Sequence, residues 1–332
     1  MTKIRFLVGD KVSLIQVETQ SSLLEQALSQ NLSISYSCRR GDCGQCLGEL
    51  LDGKVEPLDV NKPLLQKEKL YLCNALARSD LTVRLPYSPE TEHIKVLRSP
   101  CKIHELRPLS ENVMEVRLRM PQASQFEFVP GQYIHLTNKE RVTRSYSLAA
   151  PPASDRHLCI HVKRIDGGLF SDYLFLRARQ EDVLHLEGPL GRFVMPDRGS
   201  VSKTIFLATG TGIAPAHAIL SALTVQQLSR CGALFLYWGN RCRKDAYWHD
   251  RLGDLAQRLG VRYVPVFSRE ASSGSAVQLS YVQDLVAAEH ADLKDARIYA
   301  SGNPAMVETT CKQAAALGLP AGNFHADPFT AS

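Results

Sequence analysis

Cys38-Arg39-Arg40-Gly41-Asp42-Cys43-Gly44-Gln45-Cys46 places three thiols within nine residues, with glycines threaded between them. A disulfide staple, a zinc site and an iron–sulfur cluster all crowd cysteines in this way, and spacing separates them. The run reads C-x4-C-x2-C, and a fourth cysteine, Cys73, follows Cys46 by 27 positions. Zinc sites favour paired C-x2-C knuckles, and the second knuckle is missing. Plant-type [2Fe–2S] sites use C-x4-C-x2-C and a distant fourth cysteine. Cys38, Cys43, Cys46 and Cys73 therefore read as the ligands of such a cluster. Gly41 and Gly44 allow the tight backbone that brings N–H donors up to cluster sulfides.

The flanks agree. Lys3–Gly9 (KIRFLVG) and Val12–Glu18 (VSLIQVE) read as a hairpin of two strands. Ser21–Gln30 (SSLLEQALSQ) reads as a helix. Ser22 and Glu25 form a capping box there, and Leu24, Ala27 and Leu28 share one face. Leu81–Tyr87 closes the unit as a strand. Strand, helix and cluster loop in this order predict an α+β β-grasp ferredoxin over residues 1–88.

The chain is 332 residues long, enough for two or three domains. It is 44% hydrophobic and 22% charged, as a globular protein is. The net charge of +5 is spread without a basic block, so no nucleic acid is implied. No apolar run reaches the roughly 18 residues of a membrane span, and the N-terminus alternates like a strand rather than a signal peptide. These features point to a cytoplasmic protein without a membrane partner, in a compartment where structural disulfides are rare. The other five cysteines (Cys101, Cys159, Cys231, Cys242 and Cys311) are scattered and read as small buried hydrophobes.

Residues 89–100 are polar and proline-flanked and read as a linker. Over 101–197 short strands alternate with glycine and proline turns, which predicts a small antiparallel β-barrel. From 198 to 332 apolar strands (TIFLAT, LFLYWG, RYVPVF, RIYASG) alternate with helical stretches, which predicts an α/β doubly wound parallel sheet.

Three segments suit parts of a dinucleotide. Arg144, Tyr146 and Ser147 put a cation, an aromatic ring and a hydroxyl on one strand; the first can pair with a diphosphate and the second can stack on a ring system. Gly168, Leu169, Phe170 and Ser171 open a helix, whose N–H groups favour phosphate. Gly210, Thr211, Gly212, Ile213, Ala214 and Pro215 form a glycine turn between a strand and a helix, without the third glycine of G-x-G-x-x-G. Each also fits an ordinary strand or turn; their joint occurrence is what points to nucleotides. Ser268 and Arg269 fall at a strand end that lines the crevice in this architecture. Ser301 repeats that placement, and Phe329 lies near the terminus.

With these motifs in this order, the chain resembles the ferredoxin–NADP reductase superfamily with a fused N-terminal plant-type ferredoxin, over essentially its whole length. CRRGDCGQC, VTRSYSLA, LYWGNRCRKDAYW and HADPFTAS make it most similar to the branch that serves 3,6-dideoxyhexose synthesis. The resemblance implies a [2Fe–2S] cluster, FAD and NADPH or NADH. Arg144 would bind the FAD pyrophosphate, Tyr146 would stack on the isoalloxazine, and Ser147 would bond near its hydride-accepting nitrogen. Gly168 to Ser171 would hold the diphosphate from the other side, and Gly210 to Pro215 the nicotinamide dinucleotide. Phe329 would cover the flavin face. Ser301 stands where the family usually has cysteine, beside the hydride-transfer site. Ser268-Arg269 is similar to the 2′-phosphate pair of NADP-dependent members, which leans the chain toward NADPH.

A flavin can take a hydride and release single electrons, so it would stand between NAD(P)H and a cluster near about −400 mV. The implied partner is a protein electron acceptor: a dehydrase carrying pyridoxamine phosphate (PMP), or an oxygenase component. Arg39 and Arg40 are candidates for its docking patch. A non-catalytic redox sensor or binding adaptor would keep the same motifs.

Overall fold

In the computed structural model, residues 2–330 are described except 18, 19, 31, 33, 67, 68, 154 and 271–280. Two compact units divide the chain after Val96, the second running Leu97–Phe329. The first holds β1 (Thr2–Val8), β2 (Lys11–Val17), α1 (Leu23–Ser29), β3 (Leu47–Asp52), β4 (Val55–Pro57), β5 (Leu65–Gln66), β6 (Lys69–Tyr71), β7 (Ala75–Ala77) and β8 (Leu81–Leu85). Its main sheet runs β2-β1-β8-β3-β6-β5. β1 pairs antiparallel with β2 and parallel with β8, which gives the mixed centre of a β-grasp. Period-two alternation turns Ile4 and Phe6 inward, where Leu23, Leu24 and Ala27 of α1 bury against them. Ser22 caps α1 by accepting the Glu25 N–H at 3.3 Å. The Glu25 carboxylate pairs with Arg39 at 3.0 Å, so the expected capping box is a simple cap.

The second unit begins with six antiparallel strands: β9 (Leu97–Ser110), β10 (Val113–Arg119), β11 (Tyr133–Thr137), β12 (Thr143–Ser147), β13 (His157–Lys163) and β14 (Val183–Leu190), in the order β12-β11-β14-β9-β10-β13. The edges meet through a Leu148–Ile160 bridge and the Ala149 N–H bond to Cys159 O at 2.8 Å, closing the barrel. β9 starts inside the stretch read as linker. Pro100 makes that strand hard to see, yet it is tolerated there: residues 97–102 pair with β14 and residues 102–110 with β10. Pro100 thus lies where the strand has only one bonded neighbour and a missing N–H costs least. A short helix, α2 (Leu169–Asp172), continues into a wider turn over Tyr173–Arg177.

The remainder is β15 (Lys203–Thr209), α3 (Ile213–Ala222), α4 (Val225–Cys231), β16 (Ala233–Asn240), α5 (His249–Leu259), β17 (Arg262–Phe267), α6 (Val282–Glu289), β18 (Ala296–Gly302), α7 (Pro304–Ala316) and β19 (Phe324–Pro328). The sheet is parallel throughout, ordered β17-β16-β15-β18-β19. Strand order reverses between β15 and β18, the place where such sheets bind ligands at their carboxyl ends. Both faces are covered, so Phe206, Tyr237, Trp238 and Tyr299 are fully buried. Ala149, Phe193 and Met195 from the barrel side join the core beneath Trp238 and Trp248. His217 of α3 donates from Nδ1 to Ala149 O at 2.8 Å. Barrel and sheet are thereby one packed body.

Candidate functional site

The four cysteines sit around a loop whose backbone is shaped for sulfur. Arg39, Gly41 and Gly44 adopt φ of 54°, 80° and 72°, in the left-handed region. The N–H groups of Arg40, Asp42 and Cys43 each point at Cys38 Sγ at 3.4 Å. The Cys43 thiol and then these amides hold the Cys38 thiol down to about 5, against burial. The sulfurs interact as two pairs, Cys38 with Cys43 and Cys46 with Cys73, as two iron ions would require. Cys73 lies on a tight turn, Leu72–Asn74, and no disulfide joins any of the nine cysteines. Buried Asn74 donates to Asp59 O, Lys62 O and Pro63 O and accepts from Asp59 N, fixing the loop beside Cys73. Arg39 and Arg40 pair with Glu25 and Asp42. Arg39 is thus paired with α1 and Arg40 within the loop, and both remain partly exposed.

On the barrel, β12 presents half-buried Arg144 and Tyr146 at alternate positions, opposite Leu136 and Ile134 of β11. The Tyr146 ring lies 5.7 Å from Phe170, which ties the strand to α2. The Ser171 hydroxyl is taken up locally: it donates toward Gly168 O and accepts from the Ile165 N–H. Phe170 is buried and Leu169 is 64% exposed. What this segment offers a diphosphate is therefore backbone at Gly168–Leu169, where no side chain caps the helix; the serine hydroxyl is occupied.

At the switch point β15 ends in a tight turn, Gly210–Gly212, and α3 starts at Ile213 with Ala214 and Pro215 buried behind it. A Cβ on Gly212 would lie 2.4 Å from Ser301 O, so only glycine lets the turn and the end of β18 meet. A Cβ on Gly210 would meet nothing within 4 Å, so its outer side is open to a ligand. The Trp238 indole N–H donates to Gly210 O at 2.8 Å and the Ser301 hydroxyl to Gly212 O at 2.7 Å, which holds the turn rigid. Gly302 takes φ 112° and accepts the Phe329 N–H at 2.7 Å. Phe329 is thereby placed beyond the same sheet end.

The barrel and the sheet meet at one buried polar contact. The Ser147 hydroxyl donates to Asp327 Oδ2 at 2.7 Å. Asp327 stands next to Ser301 across the β18–β19 pairing. Burial pushes the Asp327 carboxyl up to about 6, against the Ser147 bond that pulls it down. Ser147 and Ser301 thus flank a carboxyl that burial raises to about 6, with Phe329 two residues along the chain. At the far side, the Ser268 N–H donates to Asn240 O at 3.0 Å and the Arg269 N–H to Arg241 O at 2.9 Å. These bonds bring two exposed arginines, Arg241 and Arg269, to the ends of β16 and β17. Asn240 Nδ2 is buried there with no hydrogen-bond partner among the described residues.

Three family models match in order: a 2Fe-2S iron-sulfur cluster binding domain over 7–78, an oxidoreductase FAD-binding domain over 100–195 and an oxidoreductase NAD-binding domain over 206–312. The CDP-6-deoxy-L-threo-D-glycero-4-hexulose-3-dehydrase reductase of Yersinia pestis is 30% identical over 94% of both chains. The chain belongs to the ferredoxin–NADP reductase family of iron–sulfur flavoprotein reductases. Terephthalate 1,2-dioxygenase reductase component 1 of a Comamonas species is also 30% identical, over 94% of this chain and 93% of its own. Among solved structures, the Amycolatopsis cytochrome P450 reductase GcoB superposes with a TM-score of 0.76 at 26% identity, over 99% of both chains.

The reductase is an electron-transfer oxidoreductase whose cofactors are a [2Fe–2S] cluster, FAD and NAD(P)H. Its residues fit them: paired sulfurs facing backbone donors, an open glycine turn at the switch point, and an orphaned amide at the β16 end. No helix among the described residues is long and apolar enough to cross a membrane. Sequence reasoning missed two polar residues of these sites. Asp327 lay within the quoted tail HADPFTAS, but nothing local pairs it with a serine 180 positions away. Asn74 directly follows Cys73, and its role is visible only once the Asp59–Pro63 loop folds over it.

Proposed function

We propose that the reductase passes electrons from NAD(P)H, one at a time, to the PMP-dependent dehydrase of CDP-3,6-dideoxyhexose synthesis, the role of a CDP-6-deoxy-Δ3,4-glucoseen reductase. The observation that carries this reading is the match, over 94% of both chains, to Yersinia proteins named as reductases of a CDP-hexulose dehydrase. A second reading, the reductase component of an oxygenase, is favoured by the equally similar terephthalate dioxygenase component. The reconstituted reaction decides between them. The reductase is incubated anaerobically with NADPH or NADH, PMP-loaded dehydrase and CDP-4-keto-6-deoxyglucose. A 3,6-dideoxy product that depends on the reductase supports the first reading. No product, with cytochrome c reduced at full rate, puts the oxygenase first.

When bound, the cofactors supply hydride acceptance and single-electron relay. The chain's residues bind and orient them. Arg144 would hold the FAD diphosphate, Tyr146 would support the ring, and the Gly168–Leu169 backbone would complete the diphosphate cradle. The Gly210–Gly212 turn and the start of α3 would offer N–H groups to the nicotinamide dinucleotide. Phe329, held by its N–H bond to Gly302 O, would cover the ring face. Ser147 carries a proton at Oγ that it shares with Asp327 Oδ2.

Two substitutions test these assignments. Ser301 bonds Gly212 O, so cysteine at this position exchanges a short hydroxyl bond for a polarisable sulfur. Ser301→Cys is expected to raise the anaerobic rate of flavin reduction about tenfold, a change of ~1.4 kcal/mol in the barrier; an unchanged rate removes Ser301 from the hydride site. Arg269→Ala is expected to raise KM for NADPH about tenfold, the worth of one charge-assisted bond to a phosphate, and to leave KM for NADH alone. Equal effects on both nucleotides would show that Arg269 does not read the 2′-phosphate.

A further inference from the structure

The outer face of the barrel carries a second cluster of metal-binding groups, separate from the cysteine loop. β10 and β13 pair antiparallel, with Glu115 opposite His161 and Arg117 opposite Cys159. Residues two apart on a strand share a face and cross-strand neighbours touch. Strand geometry alone therefore gathers Glu115, Cys159 and His161, and their ligand atoms all lie within 4.8 Å of one another. The His161 side chain is fully buried, 0% exposed, and its Nε2 stands 3.9 Å from Glu115 Oε2, too far for a hydrogen bond. That nitrogen is buried with no hydrogen-bond partner among the described residues. Buried polar atoms are nearly always satisfied, so this one calls for a ligand.

We propose that Glu115, Cys159 and His161 form a zinc-binding site at the seam between the barrel and the parallel sheet. The ring is already oriented for it. His161 Nδ1 lies 2.9 Å from the Tyr247 hydroxyl, and Trp248 packs edge-on at 4.0 Å. A ring that donates Nδ1–H to Tyr247 turns the Nε2 lone pair toward Glu115 and Cys159, the outer-partner arrangement of metal-bound histidine. Glu115 Oε1 accepts from Arg107 at 2.8 Å, which leaves Oε2 for the ion.

Thiolate, carboxylate and neutral imidazole carry two negative charges, which balance a dication. Arg107 and Arg117 are 49% and 45% exposed, so water screens their charge. Tetrahedral bonds of about 2.0–2.3 Å hold ligand atoms about 3.3–3.7 Å apart, so atoms now within 4.8 Å close by up to about 1 Å through side-chain rotation. Binding releases the Cys159 thiol proton to solvent. The sulfur selects zinc over magnesium or calcium, and a fourth position stays open to water.

The test uses the complete reductase with its flavin and two irons per chain verified. It is incubated with zinc chloride, desalted, and assayed for zinc and iron by mass spectrometry. We expect one zinc per chain with iron unchanged, and zinc-edge X-ray absorption showing one sulfur ligand with the rest nitrogen or oxygen. Cys159→Ala should lose stoichiometric zinc, and Tyr247→Phe should weaken it about tenfold. Both variants should keep their flavin, their iron and the rate of NAD(P)H oxidation, which shows that they are folded. No retained zinc at intact iron overturns the site. So does zinc without a sulfur ligand, or zinc bound equally by Cys159→Ala.

Discussion

Asp327→Asn should flatten the pH dependence of flavin reduction and stabilise the protein at alkaline pH. Both effects follow from one buried carboxyl held up to about 6 by burial. Below that pH the proton sits on Asp327, and the carboxylic acid can donate to Ser147 Oγ, which frees the serine hydrogen to point toward a bound ring. Above it, the ionised carboxylate recaptures that hydrogen at Oδ2 and places a negative charge beside Ser147 and Ser301. The wild-type rate of anaerobic flavin reduction should therefore fall as pH rises through about 6. The amide cannot change its charge, so the variant's profile should be flat across that range. An inflection that survives in Asp327→Asn would assign it to another group.

The stability effect has a defined sign. The folded pKa exceeds the unfolded value of about 3.9, so the folded state binds the extra proton. The favourable contribution is full below about 4 and is lost as pH rises through about 6. Holding the carboxyl near 6 rather than near 4 corresponds to about 3 kcal/mol at pH 8. Asp327→Asn should raise Tm at pH 8 and leave it nearly unchanged at pH 4. Asp327 acts through Ser147, so it is a positioning residue, and only the pH profile separates that role from a purely structural one.

The cluster domain was legible because its cysteine spacing is characteristic, and glycine at 41 and 44 marks where the backbone turns. The parallel sheet was legible because its inner strands are continuous apolar runs. β9 was not, since Pro100 suppresses a strand reading and the one-sided pairing that tolerates it is a tertiary fact. β19 was also missed. It is an edge strand of five residues, and its register beside β18 comes from the sheet rather than from its own pattern. That strand carries Asp327. The part of the site least visible in sequence is thus the polar contact that joins barrel to sheet, because its two halves belong to elements that only packing brings together. Arg39 and Arg40 show the converse: their charges were plain in sequence, and their partners Glu25 and Asp42 were not.

Removing one cluster ligand should split the activity in two. Cys73→Ser breaks the Cys46–Cys73 pair and with it the second iron's share of the thiolates. The variant should lose its iron, and its NAD(P)H-dependent reduction of cytochrome c should fall about 100-fold or more, because the chain then has no carrier dedicated to single electrons. Ferricyanide reduction, which takes electrons from the flavin itself, should stay within about twofold of wild type. The reason is architectural. The cysteine loop belongs to a compact unit ending at Val96 with its own apolar core of Ile4, Phe6, Leu23 and Leu70, whereas the flavin and nucleotide residues lie in the unit from Leu97 to Phe329. A domain with its own core can lose its metal without unfolding its neighbour. Full cytochrome c activity in Cys73→Ser would mean that electrons leave directly from the flavin, and loss of ferricyanide activity would mean that the second unit depends on the first to fold. The predicted split holds only if hydride chemistry and single-electron delivery reside in separately stable parts of the chain.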